Sequence, residues 1–247
     1  MFKHYLMKFF IRIGIFLGML YVYIAHKELL DFTTQWTGGE LISPIHILWL
    51  VMVVEMLMQI NPKGRVSRGC LKQFANYYVP PTNDYDKGQL LEFTKKRNLG
   101  AIKVLLAWIC GNLIIGAIYY FGFIGVEELV LLSFLYYIGD LICVVFFCPF
   151  QVIFMRNRCC VNCRIFAWAH FMMATPLLFV QSFYSWSLFV LGIIILIKWE
   201  YTYIKYPERF YEGSNEALKC INCTDQLCKI RKPVNENKSF LDIIKRK

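Results

Sequence analysis

Charge is scarce in this sequence. Asp, Glu, Lys and Arg make up 18% of the 247 residues, against 57% hydrophobic and 17% aromatic, and mean hydropathy is +0.46. A soluble domain carries about 25% charged residues, so that class does not describe the chain. Histidine is limited to four residues, His4, His26, His46 and His170. A bis-histidine haem needs two of them at one depth, and their positions along the chain do not provide that. No C-x-x-C-H, Gly-Lys-Ser/Thr phosphate loop, Gly-rich dinucleotide turn or H-E-x-x-H is present, so neither haem nor nucleotide is expected. Zinc-finger histidine pairs, RNP-type aromatic stretches and basic zippers are missing too, which excludes the usual nucleic-acid modules. The formal charge of +10 is therefore read as basic loops meeting anionic lipid headgroups. There is no internal repeat.

What the chain does have is long apolar runs. Six read as membrane spans, at about 8–25, 43–60, 101–121, 127–147, 165–181 and 187–204, each near the ~20 residues that cross a bilayer. No small-x-small site follows Ala25, so the first run reads as an uncleaved span. The fifth run is short and contains Pro176, which makes it a candidate re-entrant segment. Basic residues alternate between the connections. Met1–Arg12 is basic through Lys3, Lys8 and Arg12, the connection 62–100 is rich in Lys and Arg, and 148–164 holds Arg156, Arg158 and Arg164. The connection 122–128 holds only Glu127 and Glu128. This asymmetry predicts both termini and the two long connections in the cytoplasm, in a plasma or inner membrane. The fold class is thus all-α, a polytopic helix bundle over 1–204 with a basic, cysteine-containing tail over 205–247. Gln89–Arg97 reads as an amphipathic helix lying on the membrane before the third span. Ser239 reads as the cap of a last helical turn.

Eight cysteines fall on the predicted cytoplasmic side or its interface, with Cys143 one turn inside and Cys110 mid-span. Thiols clustered in a reducing compartment point to metal ligation or redox work rather than a disulfide framework. Cys160-x-x-Cys163 and Cys220-x-x-Cys223 have the spacing of two halves of a tetrahedral S₄ site, with Cys148, Cys159 and Cys228 as further thiols nearby. A zinc ion and an iron–sulfur cluster both fit that spacing. Asn222-Cys223-Thr224 matches a glycosylation triplet, but its predicted cytoplasmic placement makes it irrelevant.

Ionisable residues inside spans are expensive and mark function. Glu55, Asp140 and His170 lie at similar distances from the cytoplasmic ends of the second, fourth and fifth spans, about 8–11 Å deep at ~1.5 Å per residue. They are expected to converge as a proton-transfer or metal-passage group. Lys198 lies about as deep, as a partner for one of them or as a side chain reaching the interface. Asn112 is mid-span, and Met52, Met56, Met58, Met172 and Met173 offer soft donors.

Three functions follow from these patterns. The first is membrane redox or electron transfer at a cytoplasmic thiolate centre, served by a cytoplasmic redox or metal-donor protein. The second is soft-metal transport or sensing. The third is a zinc-clamped structural subunit without turnover, whose tail segment Tyr206–Leu218 is held under the bundle by the metal bond.

Overall fold

The computed structural model describes residues 2–30, 44–61 and 67–230. The connection 31–43, residues 62–66 and the tail from 231, including the turn expected at Ser239, lie outside the described residues. Every regular element described is helical. The main ones are α1 Phe2–Ala25, α2 Pro44–Ile60, the single turn α3 Arg68–Leu71, α4 Lys87–Tyr120, α5 Val126–Val145, α6 Ala169–Ala174 and α7 Phe183–Lys205. Helices α1, α4, α5 and α7 are long and apolar enough to cross a membrane, while α2 and the stretch Phe166–Phe179 are shorter apolar elements.

Local chemistry sets the helix starts. Asp86 accepts from the backbone N–H of Gly88 (2.7 Å) and Gln89 (3.4 Å) and caps α4. Ser182 accepts from Tyr184 N–H at 3.3 Å and caps α7. Glu128 reaches back to the N–H of Gly125 at 2.6 Å and opens α5. Gly122, with φ +77°, makes the turn between α4 and α5 in a backbone region that suits glycine. Gln89–Arg97 differs from expectation. It does not form a separate surface helix but is the first part of α4, continuous with the apolar stretch that follows.

Cross-element pairs fix the directions. Arg12 meets Asp140 while Tyr23 meets Glu128, so α1 and α5 run antiparallel. Trp49 bonds Ser187 and Ile60 accepts from Lys198, a constant offset that makes α2 and α7 parallel. Trp108 stacks near Tyr136 at 4.8 Å between centroids, as an antiparallel α4–α5 hairpin requires. Trp108 also donates to Thr175 at 3.1 Å, and Phe179 covers Gly116, so α4 and 166–179 run parallel. Arg164 pairs with Glu200, and Gly192 abuts Phe171, so that stretch is antiparallel to α7. The six apolar elements therefore alternate in direction. The start of α1 and the ends of α2, α5 and α7 gather at one end of the bundle.

The stretch 166–179 is the centre of the packing. It is a 3₁₀ turn at Phe166–Trp168, then α6, then a second 3₁₀ turn at Pro176–Phe179, because Pro176 cannot continue the helical ladder. Ala167, Trp168, His170, Met172, Met173, Ala174, Pro176 and Leu177 are all buried. An element apolar all round belongs inside a bundle, and irregular backbone at membrane depth is tolerated where protein surrounds it. Met52, Met56 and Met173 pack in one core cluster and Met172 in another, whereas Met58 is exposed.

Beyond α7 the tail turns back. Phe210 inserts edge-on against Trp199 and Tyr203, at 5.1 and 4.9 Å between centroids. Arg68 donates to the carbonyl of Ala217 and, through its N–H, to Asp225. Asn215 accepts from Val79 N–H, and Glu216 N–H donates to the carbonyl of Val79 at 2.8 Å. Leu227 joins Tyr5, Val145 and Val161 in a buried cluster. The fold-back expected for Tyr206–Leu218 is present, and in it Phe210 is buried and Asn215, Glu216 and Ala217 are hydrogen-bonded.

Gly192 sits where α6 and α7 touch at backbone level. A Cβ there would lie 3.0 Å from the Cα of Phe171, whereas one at Gly14 meets nothing within 4 Å. We expect Gly192→Leu to cost about 1–3 kcal/mol of stability and Gly14→Leu almost nothing, read as thermal midpoints in detergent. Equal midpoints for the two variants would contradict this packing.

Candidate functional site

Arg12 is 5% exposed, inside the bundle on an apolar stretch of α1. Its guanidinium donates to Glu55 on α2 at 2.8 Å, to Asp140 on α5 at 3.2 Å and to the carbonyl of Tyr137 at 2.7 Å. Its plane lies 3.7 Å from the centroid of the Tyr137 ring, and the Tyr137 hydroxyl donates to Glu55 at 2.5 Å. Lys8, one turn nearer the N-terminus, is 4.0 Å from Glu55. Three helices are thus tied at one level by a charge group that sums to zero: Lys8 and Arg12 against Glu55 and Asp140.

Glu55 and Asp140 converge as expected, but the residue that joins them was read in the sequence only as a topology charge. A lone Arg in Phe9–Phe16, FFIRIGIF, is costly unless paired, and that was the signal available. His170, on α6, is 7% exposed and lies within electrostatic reach of Glu55, Asp140, Arg12 and Lys8. Among the described residues neither of its ring nitrogens has a hydrogen-bond partner. Lys198 does not join this group. It donates to the carbonyl of Ile60 at the end of α2 and lies 4.7 Å from the Phe74 ring centroid. The amide of Asn112 turns back to the carbonyl of Trp108 at 2.9 Å.

A second arginine repeats the arrangement near the same end of the bundle. Arg164 pairs with Glu200 through both terminal nitrogens and lies 3.7 Å from the centroid of Tyr203. Trp168 donates to the same Glu200 at 2.7 Å, and Trp199 donates to the carbonyl of Arg164 at 2.8 Å. A bidentate guanidinium–carboxylate pair is a strong, oriented contact. This one joins the start of 166–179 to α7.

The two C-x-x-C segments fold alike. In each, the N–H of the second cysteine donates to the carbonyl of the first, at 2.9 Å for Cys163 to Cys160 and 3.1 Å for Cys223 to Cys220. They differ in burial. Cys160 and Cys163 are both buried. The Cys160 thiol is within donor distance of Gln151 Oε1 (3.0 Å) and the carbonyl of Cys143 (3.2 Å), and Cys148 Sγ accepts from Gln151 N–H at 3.4 Å. Gln151, fully buried, also donates to the carbonyl of Asn157 at 2.6 Å, so it organises this pocket. Cys220 and Cys228 are exposed and Cys159 and Cys223 half-buried.

Lys72 closes the buried turn. It is 3% exposed, donates to the carbonyl of Cys163 at 3.0 Å, and is ringed by Trp199, Phe210 and Phe166 at 5.4, 5.7 and 5.9 Å from their centroids. Burial holds its amine at about 8, below the ordinary 10.5. Burial likewise pushes the Cys163 thiol up to about 11, which keeps it protonated and unreactive at neutral pH.

A zinc ion or an iron–sulfur cluster needs four thiolates facing one point. Among the described residues no three His, Cys, Asp or Glu side chains are grouped so as to hold a metal ion. No three of Cys148, Cys159, Cys160, Cys163, Cys220, Cys223 and Cys228 are grouped in this way. Comparison with known protein families, characterised proteins and solved structures finds no match to this chain.

Two tests follow from this geometry. Removing one partner of a buried ion pair costs about 3–5 kcal/mol, because the other charge stays behind. Arg12→Met and Asp140→Asn should each destabilise, and their double-mutant cycle should show coupling above about 0.5 kcal/mol. Additive effects would show the two residues to be independent.

The second test concerns Lys72. Between its folded value of about 8 and the ordinary 10.5, the unfolded chain binds a proton that the folded chain does not. Stability therefore rises with pH across that window, and the penalty is fully present below it. Across pH 8 to 10.5 the stability of the unaltered protein should climb relative to that of Lys72→Met, in which the raised thiol of Cys163 acts alike. The same slope in both proteins would refute the assignment.

Proposed function

We propose that this chain is a six-crossing integral membrane protein, with both termini cytoplasmic, that exchanges thiols for disulfides with a partner protein through Cys220 and Cys223. The observation that carries this reading is the contrast between two turns of one shape. The Cys160–Cys163 turn is sealed under Lys72 and Gln151. The Cys220–Cys223 turn stands at the surface, with Ile221 between its cysteines 90% exposed.

A hydrogen-bonded i to i+3 turn brings its end Cα atoms within ~7 Å, the range a disulfide spans. The Cys220 thiolate attacks one sulfur of the partner's disulfide and forms a mixed disulfide, releasing one partner thiolate. Cys223 then attacks Cys220 Sγ and releases the second. The pair ends oxidised by two electrons, and the partner ends as a dithiol carrying the two protons that the pair gave up. A reducing cytoplasm returns the pair to its thiol form.

The orientation rests on the Lys and Arg asymmetry of the connections, and the alternating directions of the six apolar elements support six crossings. The stretch 166–179 supplies the fifth. At helical and 3₁₀ rises it extends roughly 24 Å, shorter than the ~30 Å hydrocarbon core, and lies inside the bundle rather than against lipid.

Purified protein equilibrated in graded dithiothreitol redox buffers should show one two-electron step at Cys220 and Cys223 by mass spectrometry of alkylated peptides, with Cys160 and Cys163 still reduced. Cys220 and Cys223 remaining as two thiols at every ratio would reject thiol exchange. An impermeant maleimide should reach Cys220 in inverted vesicles but not in intact cells. Labelling of intact cells would reverse the orientation.

A further inference from the structure

His170 is buried in the bundle and has no part in the thiol chemistry. It is 7% exposed and, among the described residues, leaves both ring nitrogens without a hydrogen-bond partner. An unsatisfied buried polar group costs about 1–3 kcal/mol, and a neutral imidazole has one donor and one acceptor to satisfy.

From α1 come Lys8 and Arg12, from α2 Glu55 and from α5 Asp140, while α7 meets α6 here with Gly192 and apolar neighbours. The two cations and two carboxylates cancel, so a neutral ring completes a neutral site. A protonated ring adds a single positive charge beside two carboxylates. Glu55 and Asp140 each keep about a quarter of their side-chain surface exposed, and Lys8 keeps 44%. A graded series thus runs from the N-terminal end of the bundle inward: Lys8 half-exposed, Glu55 and Asp140 partly covered, His170 enclosed.

We propose that His170 is the proton-accepting residue of an intramembrane site, loaded from the N-terminal end of the bundle past Lys8 and Glu55. The imidazole lone pair takes the proton, both ring nitrogens become donors, and the adjacent carboxylates balance the charge gained. Arg12 is the positioning residue. By holding Glu55 and Asp140 at one level it sets how much negative charge the ring faces. This assignment rests on the charge group alone and is independent of the Cys220–Cys223 chemistry.

The experiment uses full-length protein in lipid nanodiscs, with His4, His26 and His46 replaced by Gln and His170 carrying ¹⁵N in its ring. The ¹⁵N shifts report neutral and protonated imidazole separately. One reversible protonation is expected within the pH range over which the protein stays folded, since imidazole is the side chain able to switch there. Glu55→Gln removes a carboxylate that favours the charged ring, and should weaken proton binding about tenfold, a midpoint lower by about one pH unit. Lys8→Gln, at a half-exposed position, should move the midpoint the opposite way, and provides the test if Glu55→Gln does not fold. A ring that stays neutral wherever the protein remains folded would overturn the proposal. So would a midpoint that neither substitution moves, which would leave the charge group a purely structural clamp.

Discussion

A guanidinium held within an apolar helix has to be neutralised where it stands, since its charge is never lost and its stem is too short here to carry it to water. Arg12 meets that requirement with Glu55, Asp140 and the carbonyl and ring of Tyr137. The consequences spread through the fold. Satisfying one side chain fixes the relative heights of α1, α2 and α5, and the antiparallel run of α1 against α5 then brings Tyr23 and Lys27 to Glu128 at the opposite end. Apolar packing alone would allow these helices to slide, because one apolar surface resembles another. The charge group allows one register.

Arg164 and Glu200 do the same for the stretch 166–179 and α7, and Lys72 for the loop above them. These three cations use different means. Arg12 and Arg164 are paired with carboxylates and stacked on tyrosine, whereas Lys72 has a backbone carbonyl and a ring of aromatics and no acidic partner among the described residues. The planar guanidinium suits the first solution and the compact, readily neutralised amine suits the second. Phe210 belongs to both the tail and the Lys72 cage, so the tail's docking and the lysine's burial are parts of one contact.

Much of this could be read from residues alone, and the exceptions have physical causes. All-helical architecture and membrane-length apolar helices follow from composition and run length, and the boundaries of α2, α5 and α7 lie close to those read from hydropathy. The start of α4 was missed because Gln89–Arg97 is polar, and hydropathy cannot tell a helix that continues beyond the apolar layer from one that bends to lie on it. Glu55 and Asp140 were visible as buried acids, but Arg12 was hidden among basic residues that set topology. The thiols were legible as motifs and not as positions. Two C-x-x-C spacings predict two similar turns, and both formed, but spacing carries no information about which way a turn faces. Burial of one and exposure of the other depends on Gln151, Lys72 and Phe210, none of which is near either motif's second cysteine in a way that sequence distance reveals.

The broken stretch 166–179 also constrains how the chain is made. With His170 inside it, Pro176 dividing it and only a short apolar length, it is a weak candidate for leaving the translocon as an independent helix in lipid. Its stability comes from surfaces on α4, α5 and α7 that cover it on all sides. Helices α4 and α5 precede it and α7 follows directly after a tight turn. Packing in chain order therefore sets the α4–α5 hairpin first, the stretch 166–179 against it, and α7 last, as the helix that covers it.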